Sequence, residues 1–89
     1  MKPAQYRGML SPQLRNDRIE VSVAANGLRR TYCCEGIRTA TVYRMAGRWW
    51  ARRYFGPEES DSVRQECGSL ASGEKIAMRH TFGLVAPHA

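Results

Sequence analysis

Residues Arg18 to Phe55 alternate apolar with polar side chains in short runs, separated by Asn26-Gly27, Glu35-Gly36 and Ala46-Gly47. A period of two places successive side chains on opposite faces of an extended chain, and glycine supplies the turn backbone that other residues resist. Strands joined by turns this short form an antiparallel meander, because parallel neighbours need crossovers of about a dozen residues or more.

The turns also predict register. Asn26-Gly27, as a type I′ turn, sets Ile19 opposite Cys34, Val21 opposite Tyr32 and Val23 opposite Arg30. Glu35-Gly36 then sets Cys34 opposite Ile37 and Tyr32 opposite Thr39. Strand two covers Leu28 to Cys34, and strand three, rich in β-branched and aromatic residues, covers Ile37 to Met45. Ala46-Gly47 returns Arg48 to Phe55 as strand four, which Gly56-Pro57 ends.

Beyond Pro57, Val63, Cys67 and Leu70 recur at helical spacing behind the acidic Glu58, Glu59 and Asp61. This predicts a short helix with Ser60 as its N-cap and Gly73 as its stop. Ile76, Met78, His80, Phe82 and Leu84 alternate with more polar residues and read as a half-buried fifth strand. Residues 1–17 read as a loosely ordered N-terminal arm, 18–86 as a single domain and 87–89 as a tail. The expected fold is α+β: a four-stranded antiparallel meander, one short helix packed on one face, and a C-terminal fifth strand.

In this register Ile19, Val21, Val23, Leu28, Tyr32, Cys34, Ile37, Tyr43, Trp50 and Tyr54 share one face, the better core. The opposite face carries Arg29, Arg38, Arg44, Trp49, Arg53 and Phe55, together with Ala40, Val42 and Ala51, and should meet solvent. One row resists this assignment. Arg30, Thr41 and Arg52 fall on the core face, where cations need partners or a route to water. Either the row lies at an uncovered margin, or a bulge shifts the register by one residue and exchanges Trp49 with Trp50.

Charge follows the sheet. Between Arg18 and Phe55 eight arginines oppose Glu20 and Glu35, an excess equal to the whole chain's formal +6. Guanidinium forks bind phosphate and stack on flat rings, so a basic face with aromatic planes fits nucleic acid: phosphate backbone and stacked bases. The expected contact residues are Arg29, Arg38, Arg44, Arg48, Trp49, Arg53 and Phe55, with Arg44 and Arg48 flanking a hairpin tip that could enter a groove. Two plainer explanations stand beside this one. Twelve arginines to two lysines is what a GC-rich genome produces without function, and such a face can be merely solvated. Gly47 to Arg52 resembles, over six residues, part of the three-stranded DNA-binding modules that begin some phage integrases. The alternative function is a phage-type accessory or inhibitor, anti-CRISPR-like in size and composition, that covers an acidic surface of a nucleic-acid-processing protein.

Chemistry of other kinds is sparse. Cys33 and Cys34 are neighbours and Cys67 is distant, so neither a disulfide framework nor a zinc spacing appears. His80 sits in an apolar row and reads as a hydrogen-bonded core histidine rather than a base. No phosphate-cradling glycine loop or paired carboxylates occur, so the expectation is a non-enzymatic protein without cofactor or metal. No apolar run reaches membrane-spanning length, and the chain reads as cytoplasmic, with an edge strand that could pair in a homodimer.

Overall fold

A computed structural model describes residues 19–34 and 36–85. The arm expected over 1–17 and the tail over 87–89 lie outside the described residues. Five strands, β1 (Ile19–Val23), β2 (Arg29–Cys34), β3 (Ile37–Met45), β4 (Arg48–Tyr54) and β5 (Ser62–Cys67), form one antiparallel sheet in sequence order. The helix α1 (Leu70–Val85) follows and packs mainly across β2, β3 and β4. The α+β class, the meander and the single covering helix are as expected.

The last two elements are exchanged relative to expectation. Residues 62–67, expected within the helix, are a strand, and residues 70–85, which include the strand expected over Ile76 to Leu84, are the helix. The free edge of β4 explains the first change: Tyr54 pairs with Ser62, and the ladder runs to Trp49 with Cys67. That pairing satisfies backbone groups which a short isolated helix would have to satisfy alone. The acids before it form a single 3-10 turn, Glu59–Asp61, in which the Glu58 N–H donates to Asp61 Oδ2 at 3.3 Å.

The helix was hidden because its contact stripe is small. Gly73, Ala77, Thr81 and Leu84 are its buried positions, and all but Leu84 carry little hydrophobic weight. Gly73 does not stop the helix; it lies in the first turn, where a Cβ would come within 2.6 Å of Val42 Cγ1 and 3.0 Å of Cys67 Sγ. The N-cap is Ser69 rather than Ser60: its Oγ accepts from the Ser72 N–H at 3.1 Å.

Two turns kept their predicted registers. Ile19 pairs with Cys34, Val21 with Tyr32 and Val23 with Arg30. The turn itself is not type I′, since Gly27 (φ 73°) has positive φ but Asn26 does not. Asn26 instead accepts the Leu28 N–H through its side-chain oxygen at 2.9 Å. Ala46-Gly47 is the true two-residue reversal, with φ of 54° and 75°. Ala46 is the one non-glycine residue at positive φ among those described. Because alanine resists this region and asparagine tolerates it, Ala46→Asn should raise stability by about 0.5–1 kcal/mol. A higher urea midpoint with an unchanged m value would register the gain.

The β2–β3 register contains the bulge that the sequence left as an alternative. Cys34 pairs with Ile37 and Cys33 with Arg38, but Tyr32 pairs with Ala40, leaving Thr39 as the extra residue. One inserted residue reverses the faces of everything beyond it on β3 and β4. Ala40, Val42 and Ala51 therefore lie beneath α1, while Thr41, Tyr43, Trp50 and Arg52 move to the opposite side, where Thr41 is itself fully buried. Thr39 is completely buried, its Oγ1 lying 2.7 Å from that of Thr81 on α1 and 3.2 Å from the Tyr32 carbonyl oxygen.

The core assembles accordingly. Tyr32, Ala40, Val42, Ala51, Cys67 and Ala77 form the larger cluster, with Trp49, Leu70, Ile76 and Met78 packed against it. Cys34, Tyr54 and Leu84 form a smaller one, flanked by Ile19 and Ile37. Val21 and Val23, expected in the core, are exposed at 44% and 55% because α1 does not extend over β1.

Candidate nucleic-acid interface

The open side of the sheet is organised in cross-strand rows. Arg29, Tyr43, Trp50 and Glu66 form one, and Thr31, Thr41, Arg52 and Arg64 the next. Side chains in these rows stand within reach of one another on a single surface. The Arg29 guanidinium lies 5.6 Å from the Tyr43 ring centroid, and that of Arg64 4.8 Å from the Trp50 ring. Both are cation–π distances. The indole N–H of Trp50 donates to the Met45 carbonyl at 3.3 Å, which fixes the ring in place.

This surface has two electrostatic zones. At the end near the 3-10 turn, Arg38 and Arg52 hold Glu59 at 3.5 and 3.4 Å. The Tyr54 hydroxyl donates to the same carboxylate at 2.9 Å, and Arg38 covers the Tyr54 ring at 4.1 Å. Burial first, and then the hydrogen bond to Glu59, push the Tyr54 phenol above its ordinary pKa. One carboxylate between two guanidiniums leaves that zone partly neutralised, with both cations engaged. Toward the hairpin tips, Arg29 and Arg64 have no ion-pair partner among the described residues. Arg48 meets Glu66 at 3.2 Å, but both side chains are largely exposed, so the pair contributes at most about 1 kcal/mol and yields readily to phosphate.

The structure separates the residues predicted to act together. Arg29, Arg38 and Arg48 lie on the open face. Arg44 belongs by register to the opposite face, yet it is exposed and joins Arg29 and Tyr43 in a groove of about 380 Å³ at the tips, which Leu28 and Met45 also line. Trp49 turns inward and packs against the cluster under α1. Arg53 also lies on the helix side, and the Phe55 ring meets His80 edge-on at 4.9 Å. Tyr43, Trp50, Arg52 and Arg64 are the open-face residues that sequence reasoning missed. The row of Arg30, Thr41 and Arg52 was the clue to the register. Its resolution is that Arg30 alone stays on the helix side, where it meets Glu74 of α1 at 2.9 Å.

The remaining titratable groups are quiet. Burial pushes the Cys33 and Cys67 thiols up, which keeps both in the unreactive protonated form at neutral pH. Burial and the nearby Glu74 carboxylate push the Tyr32 phenol up to about 12. Among the described residues no three His, Cys, Asp or Glu side chains converge as a metal site would require, and no helix is long and apolar enough to cross a membrane.

His80 Nε2 lies 2.8 Å from the Tyr54 carbonyl oxygen, which can only accept, so Nε2 carries the proton. Burial, helped by the Arg53 cation, lowers the His80 pKa from its ordinary 6.5, against the opposing pull of that hydrogen bond. The unfolded chain then binds the proton more readily than the folded one. Stability should be full above about pH 6.5 and fall as pH drops below it. Urea midpoints measured from about pH 7.5 to about pH 5 should show this slope, and His80→Gln should flatten it.

No family model matches the chain, and no curated protein or solved structure matches it.

Proposed function

We propose that this protein is a non-catalytic binder of nucleic acid, engaging phosphates and bases through the open sheet face near its hairpin tips. The observation that carries the reading is the pair of guanidiniums, Arg29 and Arg64, without an ion-pair partner among the described residues and lying over the Tyr43 and Trp50 rings. A guanidinium plane already seated on an aromatic ring presents its other side to an incoming base and its N–H edge to a phosphate. Arg48 and Arg44 add charge at the same end. A flat, partly aromatic sheet suits unstacked bases of a single strand better than the closed stack of a duplex.

Fluorescence anisotropy with labelled single-stranded DNA and RNA tests this directly. Affinity should fall as salt rises, with log K decreasing by about 0.7 per log unit of salt for each phosphate neutralised. Affinity indifferent to salt would reject the mechanism.

One observation favours a protein partner instead. Leu28 and Met45, 41% and 44% exposed, line the tip groove beside Arg29 and Arg44, and phosphate has no use for them. Methionine and arginine are both enriched at protein interfaces relative to the rest of the surface. A phage-type inhibitor covering an acidic surface of a nucleic-acid-processing protein would use them. A pull-down from nuclease-treated lysate separates the readings: a retained protein partner supports the inhibitor, and loss of every partner supports nucleic acid.

A further inference from the structure

On the other side of the sheet, a cavity of about 240 Å³ opens between one flank of α1 and the β4–β5 edge, lined by Arg53, Gln65, Ile76, Arg79 and His80. We propose that this cavity is an oxyanion site that takes a phosphate group between the Arg53 and Arg79 guanidiniums, with Gln65 and His80 completing it. It does not depend on the open face, because the register places Arg53 and Gln65 on the helix side.

Three observations converge. First, Arg53 Nε is buried and makes no hydrogen bond. A buried donor left unsatisfied costs about 1–3 kcal/mol; this one is closed to solvent, so an oxyanion in the cavity satisfies it once the Arg53 side chain turns toward it. Second, none of the lining residues is a carboxylate. The nearby acids are engaged elsewhere: Glu74 with Arg30, and Glu66 with Arg48 on the open face. Lys75 precedes Arg79 by four residues, so neighbouring positions on the helix surface are both cationic. Third, the Tyr54 carbonyl fixes the proton of His80 on Nε2, which leaves Nδ1 to take up a proton and donate it to an anion. The volume lies below the range of about 300–1,000 Å³ usual for whole small-molecule sites, so the cavity suits a phosphate group rather than an entire nucleotide.

The His80 ring gives the readout. Inorganic phosphate titrated into the protein, followed by the NMR shift of the His80 Hε1 proton, should produce a saturable change and raise the ring's titration midpoint. Sodium chloride at matched ionic strength should not. Arg79 is exposed, so Arg79→Gln keeps the fold and should weaken phosphate binding by about tenfold or more, through loss of a charge-assisted contact. An equal response to chloride, or unchanged phosphate affinity in Arg79→Gln, would overturn the proposal. A short oligonucleotide with and without a 5′-phosphate then distinguishes the source. A response to the phosphorylated form alone assigns a nucleic-acid terminus, and a response to neither assigns free phosphate.

Discussion

Gly73→Ala should destabilise this protein, although alanine is the better helix former by about 1 kcal/mol. The added methyl would lie 2.6 Å from Val42 Cγ1 and 3.0 Å from Cys67 Sγ, far inside contact distance. Val42 is completely buried and β-branched, so its methyl cannot swing away without leaving its rotamer. Overpacking of this kind costs about 1–3 kcal/mol, which exceeds the propensity gain. The expected net loss is about 1–2 kcal/mol, and each kcal/mol lowers Tm by about 4–8 °C in a domain of this size. The double variant Gly73→Ala with Val42→Ala separates contact from propensity. Val42→Ala alone leaves a cavity, and the new methyl should partly fill it, so the two losses should sum to more than the pair costs. A Tm that rises in Gly73→Ala would mean that α1 does not sit this close to the sheet.

Replacing Arg29 and Arg64 together by alanine should have the largest effect on binding. Neither has an ion-pair partner among the described residues, so their removal strands no internal carboxylate and should leave the thermal midpoint nearly unchanged. Affinity for single-stranded nucleic acid should fall on the order of tenfold or more, and the salt slope should shrink by about 1.4 with two phosphate contacts gone. Arg38→Ala with Arg52→Ala is the informative contrast. Those side chains already hold Glu59, so phosphate must compete for them, and their removal leaves that carboxylate unopposed. The expected binding loss is smaller and the stability loss larger. If Arg53→Ala instead weakened binding of an oligonucleotide without a 5′-phosphate as much as the Arg29 and Arg64 pair, the interface would lie on the helix side and the open-face reading would fail.

The candidate surface was half legible in the sequence. Arg29 and Arg38 were placed on the free face, as found, because each lies within a few residues of a turn that sets its register. Trp49 and Arg53 were misplaced because their face depends on a bulge in β3, one strand back along the chain. Nothing local to strand four records that insertion. Arg64 was missed for a different reason: the residues around it were read as a helix, so it had no place on a sheet. Val63, Cys67 and Leu70 happen to satisfy helical spacing, while the alternation of Val63, Gln65 and Cys67 is diluted by a polar member.

Local chemistry alone determined the antiparallel meander, the pairing of β1 with β2, and the tight reversal at Ala46-Gly47. Glycine turns and two-residue periodicity act over a few neighbouring residues and need no distant contact. Only the tertiary structure decided which side of the sheet became core and which of the last two segments became strand. Thr39 gains its place as the bulged residue from a hydroxyl contact with Thr81, more than forty residues away in the chain. The helix holds its position through Gly73, Ala77 and Thr81, whose value is close approach to the sheet rather than hydrophobicity. Such packing is a property of two surfaces together, and a single segment read by itself does not contain it.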